Sequence, residues 1–139
     1  MTQEEKELLL KDLCARLPYK VKVQDTYYNE LEPAPIWLLD LNAQAVRLFA
    51  DEGYQSIEYI KPYLFPLSSM NEEQQTESNI FDDMDMDILS ENLGRNQRNK
   101  TNIPTATYNY TDWLNKNHFD YRGLIEKGLA LDATGLNIY

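Results

Sequence analysis

The chain has 139 residues, with 23 acidic and 13 basic side chains for a net charge of −10, one cysteine, and 42 % apolar residues. A chain of this length buries enough surface to hold one core without disulfides or a structural metal, and Cys14 has no second cysteine to bridge. The shortage of Lys and Arg argues against nucleic acid as a partner, because affinity for a phosphate backbone comes from cations that release counterions.

The first residues carry Glu4, Glu5 and Glu7 where a secretory leader carries basic residues. No stretch reaches the ~18–20 apolar residues of a membrane span. A cytoplasmic protein with no membrane partner is therefore expected. Thr2 and Glu5 form a capping box that opens a helix ended by Pro18. Leu10, Leu13, Cys14 and Leu17 fall on one stripe with Leu9 beside it, which leaves Glu4, Lys11 and Arg16 to face water.

The periodicity then changes to twofold. Residues 21–25 alternate as a strand that Thr26, Tyr27 and Tyr28 prolong, and Pro33 and Pro35 break it. Residues 36–41 are apolar almost throughout, so a second, more central strand is expected there. A turn at 42–44 returns it as a strand over 46–50, completing a three-stranded antiparallel meander that stops at Asp51-Glu52-Gly53. Ser56 caps a short helical turn containing Ile57, and Pro62 and Pro66 reduce the stretch through Leu64 to a packed connector. Asn71 and Gln74 make a second capping box. The second half of residues 76–107 reads as a long flexible loop. Thr111 is placed to cap a helix over 112–117, and Asp120 one over 121–127. Lys127, a left-handed Gly128, and Leu129 against Leu124 together signal a Schellman ending. The expected architecture is α+β: one domain over 1–139, with an N-terminal helix, a small three-stranded antiparallel sheet, short C-terminal helices and an acidic excursion at 71–107.

Three segments carry a resemblance: LLLKDLCARLPY at 8–19, IKPYLFPLSSM at 60–70, and Asp112-Trp113-Leu114 followed by HFDYRGLIEKGLAL at 118–131. In this order they resemble an uncharacterised family of short proteins from Bacteroidales phages, prophages and related mobile elements. The match covers most of the chain but leaves out 75–109, where this sequence carries its acidic block. Members tend to end in an acidic, Pro-containing tail where this chain has Asp132-Ala133-Thr134-Gly135. The resemblance implies a cytosolic life in an infected or lysogenic bacterium and transfers no active site.

Cys14 and His118 are the only thiol and the only imidazole, so a Cys–His nucleophilic pair would have to be these two. A small Cys on a Leu-rich stripe reads as packing, and His118, between two capped helices, reads as bonding to a free helix carbonyl. One His and one Cys exclude the usual zinc sites. Asp83, Asp85 and Asp87 have the spacing of the first three ligands of a calcium loop. Ile88 stands where that loop needs Gly, however, and Gly94 where it needs a bidentate Glu, so no metal is expected. Neither a phosphate-binding Gly-rich loop nor a nucleophile elbow is present, and no cofactor is implied.

Ten tyrosines and two tryptophans are the stronger signal, because Tyr combines contact area with a polar tip. The expected function is that of a non-catalytic interaction protein. It would bind a host or phage protein through an acidic stripe (Asp82, Asp83, Asp85 and Asp87, interleaved with Met84 and Met86) and through exposed aromatics. One alternative is a binder of a nucleotide-like small molecule, with Trp37, Tyr59 and Tyr63 stacking, Arg47, Lys61 and Arg122 holding phosphate, and His118 as a further ligand-binding side chain. Another is a small hydrolase or transferase, which needs Cys14 or His118 to meet a carboxylate. The oligomeric state is not legible, although an exposed edge strand would invite pairing. Residues 72–91 hold eight carboxylates and no basic residue, leaving 15 acidic and 13 basic side chains elsewhere. The acidity therefore belongs largely to one segment, which is followed at once by Arg95, Arg98 and Lys100.

Overall fold

A computed structural model of the chain describes residues 1–28, 32–49, 53–78 and 110–139. These belong to two compact units, Met1–Leu67 with His118–Tyr139, and Ser68–Asn117. The expected turn at Asp51-Glu52 and most of the polar stretch 76–107 lie outside the described residues. The architecture is α+β, with the N-terminal helix, a three-stranded antiparallel sheet, a second mixed sheet and a short helix near the C-terminus.

Helix α1 (Gln3–Arg16) opens on the expected box: the Glu5 amide donates to Thr2 Oγ1 at 3.1 Å, and the Thr2 amide donates to the Glu5 carboxylate at 2.8 Å. Its buried side is Leu9, Leu10, Asp12, Leu13 and Arg16. The expected stripe is thus rotated by about one residue: Cys14 and Leu17 are exposed, and Arg16, expected in water, is fully buried. The cause lies one turn earlier, where Asp12 faces the same way and pairs with Arg16, so the two charges enter the interior together.

Strands β1 (Lys22–Asp25), β2 (Ala34–Pro35), β6 (Ile60–Pro66), β7 (Phe119–Asp120) and β8 (Leu131–Asp132) form one sheet, in the order β2-β1-β6-β7 with β8 also paired to β6. Strands β3 (Leu38–Asp40), β4 (Ala45–Arg47) and β5 (Gln55–Ser56) form the second sheet in chain order. The first strand of the expected meander therefore leaves it to pair with residues 60–62, and Gln55–Ser56 supplies the third strand. Strand β3, expected to be central, is the edge of its sheet, with Leu38 exposed and Trp37 and Leu41 more exposed still. An apolar run records the chance to be buried, whereas centrality depends on which neighbours find it.

The largest departure from the sequence reading is β6, expected to be a connector. Ser56 and Ile57–Tyr59 do form the short 3₁₀ turn, with the Ser56 hydroxyl accepting from the Glu58 amide at 3.5 Å. From Ile60 the chain runs extended for seven residues, with Ile60, Pro62 and Leu64 turned into the core. Pro62 is tolerated because of register. The Thr26 amide donates to the Tyr59 carbonyl at 2.7 Å, so the hydrogen-bonded pairs of the β1–β6 ladder fall at 26/59 and 24/61. Val23 and Pro62 face each other at a non-hydrogen-bonded position, where no amide is required.

The core of this unit joins Leu9 and Leu13 of α1, Val21 and Val23, Val46, Ile57, Ile60 and Leu64, and Leu124 and Leu129 near the C-terminus. Asp120, expected to cap a helix over 121–127, instead holds a turn, one carboxylate oxygen accepting from the Leu124 amide and the other from the Ile125 amide, both at 2.9 Å. Residues 121–130 then run as a series of turns and bends rather than a regular helix. The series closes with the paired Schellman bonds, Leu129 amide to Leu124 carbonyl at 2.9 Å and Gly128 amide to Ile125 carbonyl at 3.0 Å, with Gly128 at φ +73°.

In the smaller unit α2 (72–78) starts at Asn71, whose side chain accepts from the Gln74 amide at 2.8 Å while Gln74 accepts from the Asn71 amide at 3.0 Å. Thr111, expected as a cap, lies inside α3 (110–116). Trp113 Nε1 donates to Glu77 at 3.0 Å, and the hydroxyls of Ser78 and Tyr110 lie 3.3 Å apart. No helix among the described residues is long and apolar enough to cross a membrane.

Two substitutions test this frame by chemical denaturation. A Cβ at Gly128 meets no atom within 4 Å, so Gly128→Ala is opposed only by its left-handed backbone. It should cost about 1 kcal/mol. Leu64→Ala, in the fully buried middle of β6, should cost about 2–5 kcal/mol. A neutral Gly128→Ala would mean that the Schellman ending does not form.

Candidate functional site

Two groups of side chains in the larger unit stand out, one buried and polar, the other exposed and aromatic. The buried group starts from Asp12, whose Oδ2 accepts from Arg16 Nε at 2.8 Å and whose Oδ1 lies 3.2 Å from Arg122 Nε. Arg16 then donates through Nη2 to the Phe119 carbonyl at 2.6 Å. Both guanidinium groups lie over the Tyr121 ring, at 5.4 Å for Arg16 and 4.9 Å for Arg122. One residue before Phe119, His118 sits at φ 62°, and its carbonyl accepts from the Phe65 amide at 2.8 Å.

The His118 ring stacks on Tyr139 with centroids 3.7 Å apart and planes 14° from parallel. Its Nδ1 is buried without a hydrogen-bond partner among the described residues, so the expected bond to a helix carbonyl is not the one made. Burial, with the Arg16 charge adding to it, pushes the imidazole pKa down to about 4, which leaves the ring neutral. The Tyr139 hydroxyl is inserted between β1 and β6. It accepts from the Lys22 amide at 2.9 Å and donates to the Tyr63 carbonyl at 2.8 Å, and burial raises its pKa to about 12. Cys14 is on the exposed side of α1 with its thiol pKa raised by partial burial, and among the described residues no contact joins it to His118. A thiol so placed lacks both the base and the depressed pKa of a nucleophile.

The aromatic group is organised by Asp25, the last residue of β1. Its side chain is buried and accepts from the Tyr27 amide at 2.8 Å, the Tyr28 amide at 3.3 Å, and Gln55 Nε2 at 3.1 Å. These bonds turn the chain sharply after β1 and tie the turn to β5 of the other sheet. Tyr27 and Tyr28 project from the turn, and Tyr27 also meets Tyr59. On the second sheet the outward-facing neighbours are Leu38 on β3 and Arg47 on β4, which are register partners, and Tyr54 just before β5, with the Arg47 guanidinium 4.6 Å over its ring.

Of the residues proposed for a nucleotide-like ligand, the structure brings together Trp37 and Arg47, joined from amide to carbonyl at 2.8 Å. Tyr59 belongs to the tyrosine group. Tyr63 donates its hydroxyl to Gln24 at 3.0 Å, and Lys61 is the register partner of Gln24. Arg122 and His118 are taken up in the buried group. The seven do not converge. Asp82, Asp83, Met84, Asp85, Met86 and Asp87, proposed to bind a partner, lie outside the described residues.

Sequence reasoning missed Asp25, Tyr139 and the Asp12–Arg16 pair. The i,i+4 spacing of opposite charges beside a Leu run was the available signal for the pair. Nothing local marks Tyr139, whose hydrogen-bond partners are more than seventy residues away.

The sign of the His118 shift makes the buried group testable. Its folded pKa lies below the unfolded value near 6.5, so the unfolded chain takes up the proton first as pH falls. The stability that depends on the neutral ring is intact above pH 6.5 and is lost progressively towards pH 4, by about 3 kcal/mol. Comparing urea denaturation at pH 7 and pH 4 should show a smaller loss in His118→Phe than in the parent, whereas an equal loss would place the imidazole in solvent. Comparisons with protein-family models, curated proteins and solved structures find no match to this chain.

Proposed function

We propose that this is a non-catalytic interaction protein that binds a host or phage protein through the exposed aromatic surface of its larger unit. One observation carries the reading. Leu38 (43 % exposed) and Tyr54 (48 %) flank Arg47 at one small sheet, and Trp37 (59 %), next to Leu38 in the chain, is joined to Arg47 by a main-chain hydrogen bond. Scattered exposed apolar side chains are ordinary, but a set that combines Trp, Tyr and Arg on a rigid sheet has the composition of binding hot spots. Such residues lose little conformational entropy on docking when their rings are already held, as Tyr54 is by Arg47.

The net charge of −10 favours a partner with a basic face, through long-range attraction during encounter. The small-molecule reading gains less support, because its residues are dispersed, and the hydrolytic reading less again, because Cys14 and His118 share no contact.

The test uses the full-length protein as bait in extract of its native host. A partner should be retained by the parent and by Lys11→Ala, on the exposed side of α1, and lost at least tenfold by the double variant Leu38→Asp, Tyr54→Ala. Equal retention by the double variant would overturn the proposal.

A further inference from the structure

Tyr27, Tyr28 and Tyr59 form a group of rings in mutual contact that are all exposed. The Tyr27 ring meets Tyr28 at 4.8 Å with planes at 79°, and Tyr59 at 5.1 Å with planes at 67°. Two rings therefore stand nearly perpendicular to a third, and the three remain 59 %, 58 % and 38 % exposed. At these exposures part of the electron-rich ring faces stays open to solvent beside the edge-to-face contacts, and an open face is what attracts a cation. The Asp25 carboxylate lies behind the turn that presents two of them and adds a fixed negative charge.

Lys6, which reaches the residue just before Tyr59, is committed to the Glu58 carboxylate at 2.6 Å. In the sequence no Lys or Arg occurs between Lys22 and Arg47, an interval that contains Asp25, Glu30, Glu32 and Asp40. Two other tyrosines are covered by the chain's own cations, Tyr54 by Arg47 and Tyr121 by Arg16 and Arg122. Among the described residues no cation covers Tyr27, Tyr28 or Tyr59.

We infer that Tyr27, Tyr28 and Tyr59 form a receiving site for an arginine side chain of a basic partner segment. This rests on the proposed role as an interaction protein and names the chemistry of the partner. A guanidinium fits because it stacks on aromatic faces, sheds water more readily than an ammonium and can turn its N–H groups toward carboxylates. Held over an exposed ring face, it gains from the ring quadrupole without needing a deep pocket.

The test needs no natural partner. The purified full-length protein is titrated with penta-arginine, and with penta-citrulline as the neutral isostere, while the tyrosine ring resonances are followed by NMR. Penta-arginine should shift the Tyr27, Tyr28 and Tyr59 resonances saturably, and more weakly as salt rises. Tyr59→Phe, which keeps the aromatic face, should bind within about twofold of the parent, and Tyr59→Leu should bind about fivefold more weakly. Tyr27→Leu provides a second removal on an exposed side chain.

Equal shifts with penta-citrulline, or unchanged affinity in both Leu variants, would overturn the site. If penta-arginine fails while partner capture still depends on Leu38 and Tyr54, only the cation assignment falls. If penta-arginine binds but capture ignores Leu38 and Tyr54, this site stands and the wider surface reading falls.

Discussion

The backbone groups of β6 are shared among three segments that lie far apart in the chain. Strand β1 pairs with its first half in antiparallel fashion, β7 and β8 pair with its second half in parallel, and the amide of Phe65 and the carbonyl of Leu64 go to His118 and Ala133. Between these ladders the next hydrogen-bonded position would be Lys22 with Tyr63, and there the strands admit the Tyr139 hydroxyl, which takes the amide of one and gives to the carbonyl of the other. One side chain thus supplies the backbone partners that the two strands leave open at this position. Two prolines fit the strand because register places one where no amide is required and the other at its last residue.

The second constraint is the Asp12–Arg16 pair. Burying two charges is expensive, and their attraction offsets the cost only when the remaining polar atoms also find partners. Here the Phe119 carbonyl takes one guanidinium nitrogen and Arg122 lies within ion-pair distance of the second oxygen of Asp12, while Arg16 Nη1 is buried without a hydrogen-bond partner among the described residues, so the offset is partial. The bond from Arg16 to the Phe119 carbonyl ties α1 to the segment that carries β7. The same guanidinium adds to the burial that keeps the His118 ring neutral.

Local signals were legible wherever the physics is local. The Thr2–Glu5 and Asn71–Gln74 boxes, the Ser56 cap and the left-handed Gly128 all follow from spacing within five residues. Pairing was not legible, because residues 60–66 become a strand only when β1, β7 and β8 arrive to satisfy it, and two prolines suggest otherwise. The phase of α1 was missed for a related reason: charge predicts exposure, yet Arg16 has a buried partner one turn away. Among the aromatics, the sequence pointed to Trp37, Tyr59 and Arg47 but not to the turn at Asp25 that presents Tyr27 and Tyr28. That turn depends on Gln55, thirty residues on.

The scaffold and the exposed face are thus connected through Asp25, which ends the first strand of the β6 sheet and holds the second sheet through Gln55. The central claim is that this rigidly presented aromatic face is where a partner docks. Site-specific photocrosslinking in the native host tests it most directly, with a benzoylphenylalanine placed at Leu38, at Tyr54 or at Lys11. The account predicts a common protein adduct from positions 38 and 54 and none from position 11. An adduct from position 11 alone, or none from 38 and 54, would contradict it.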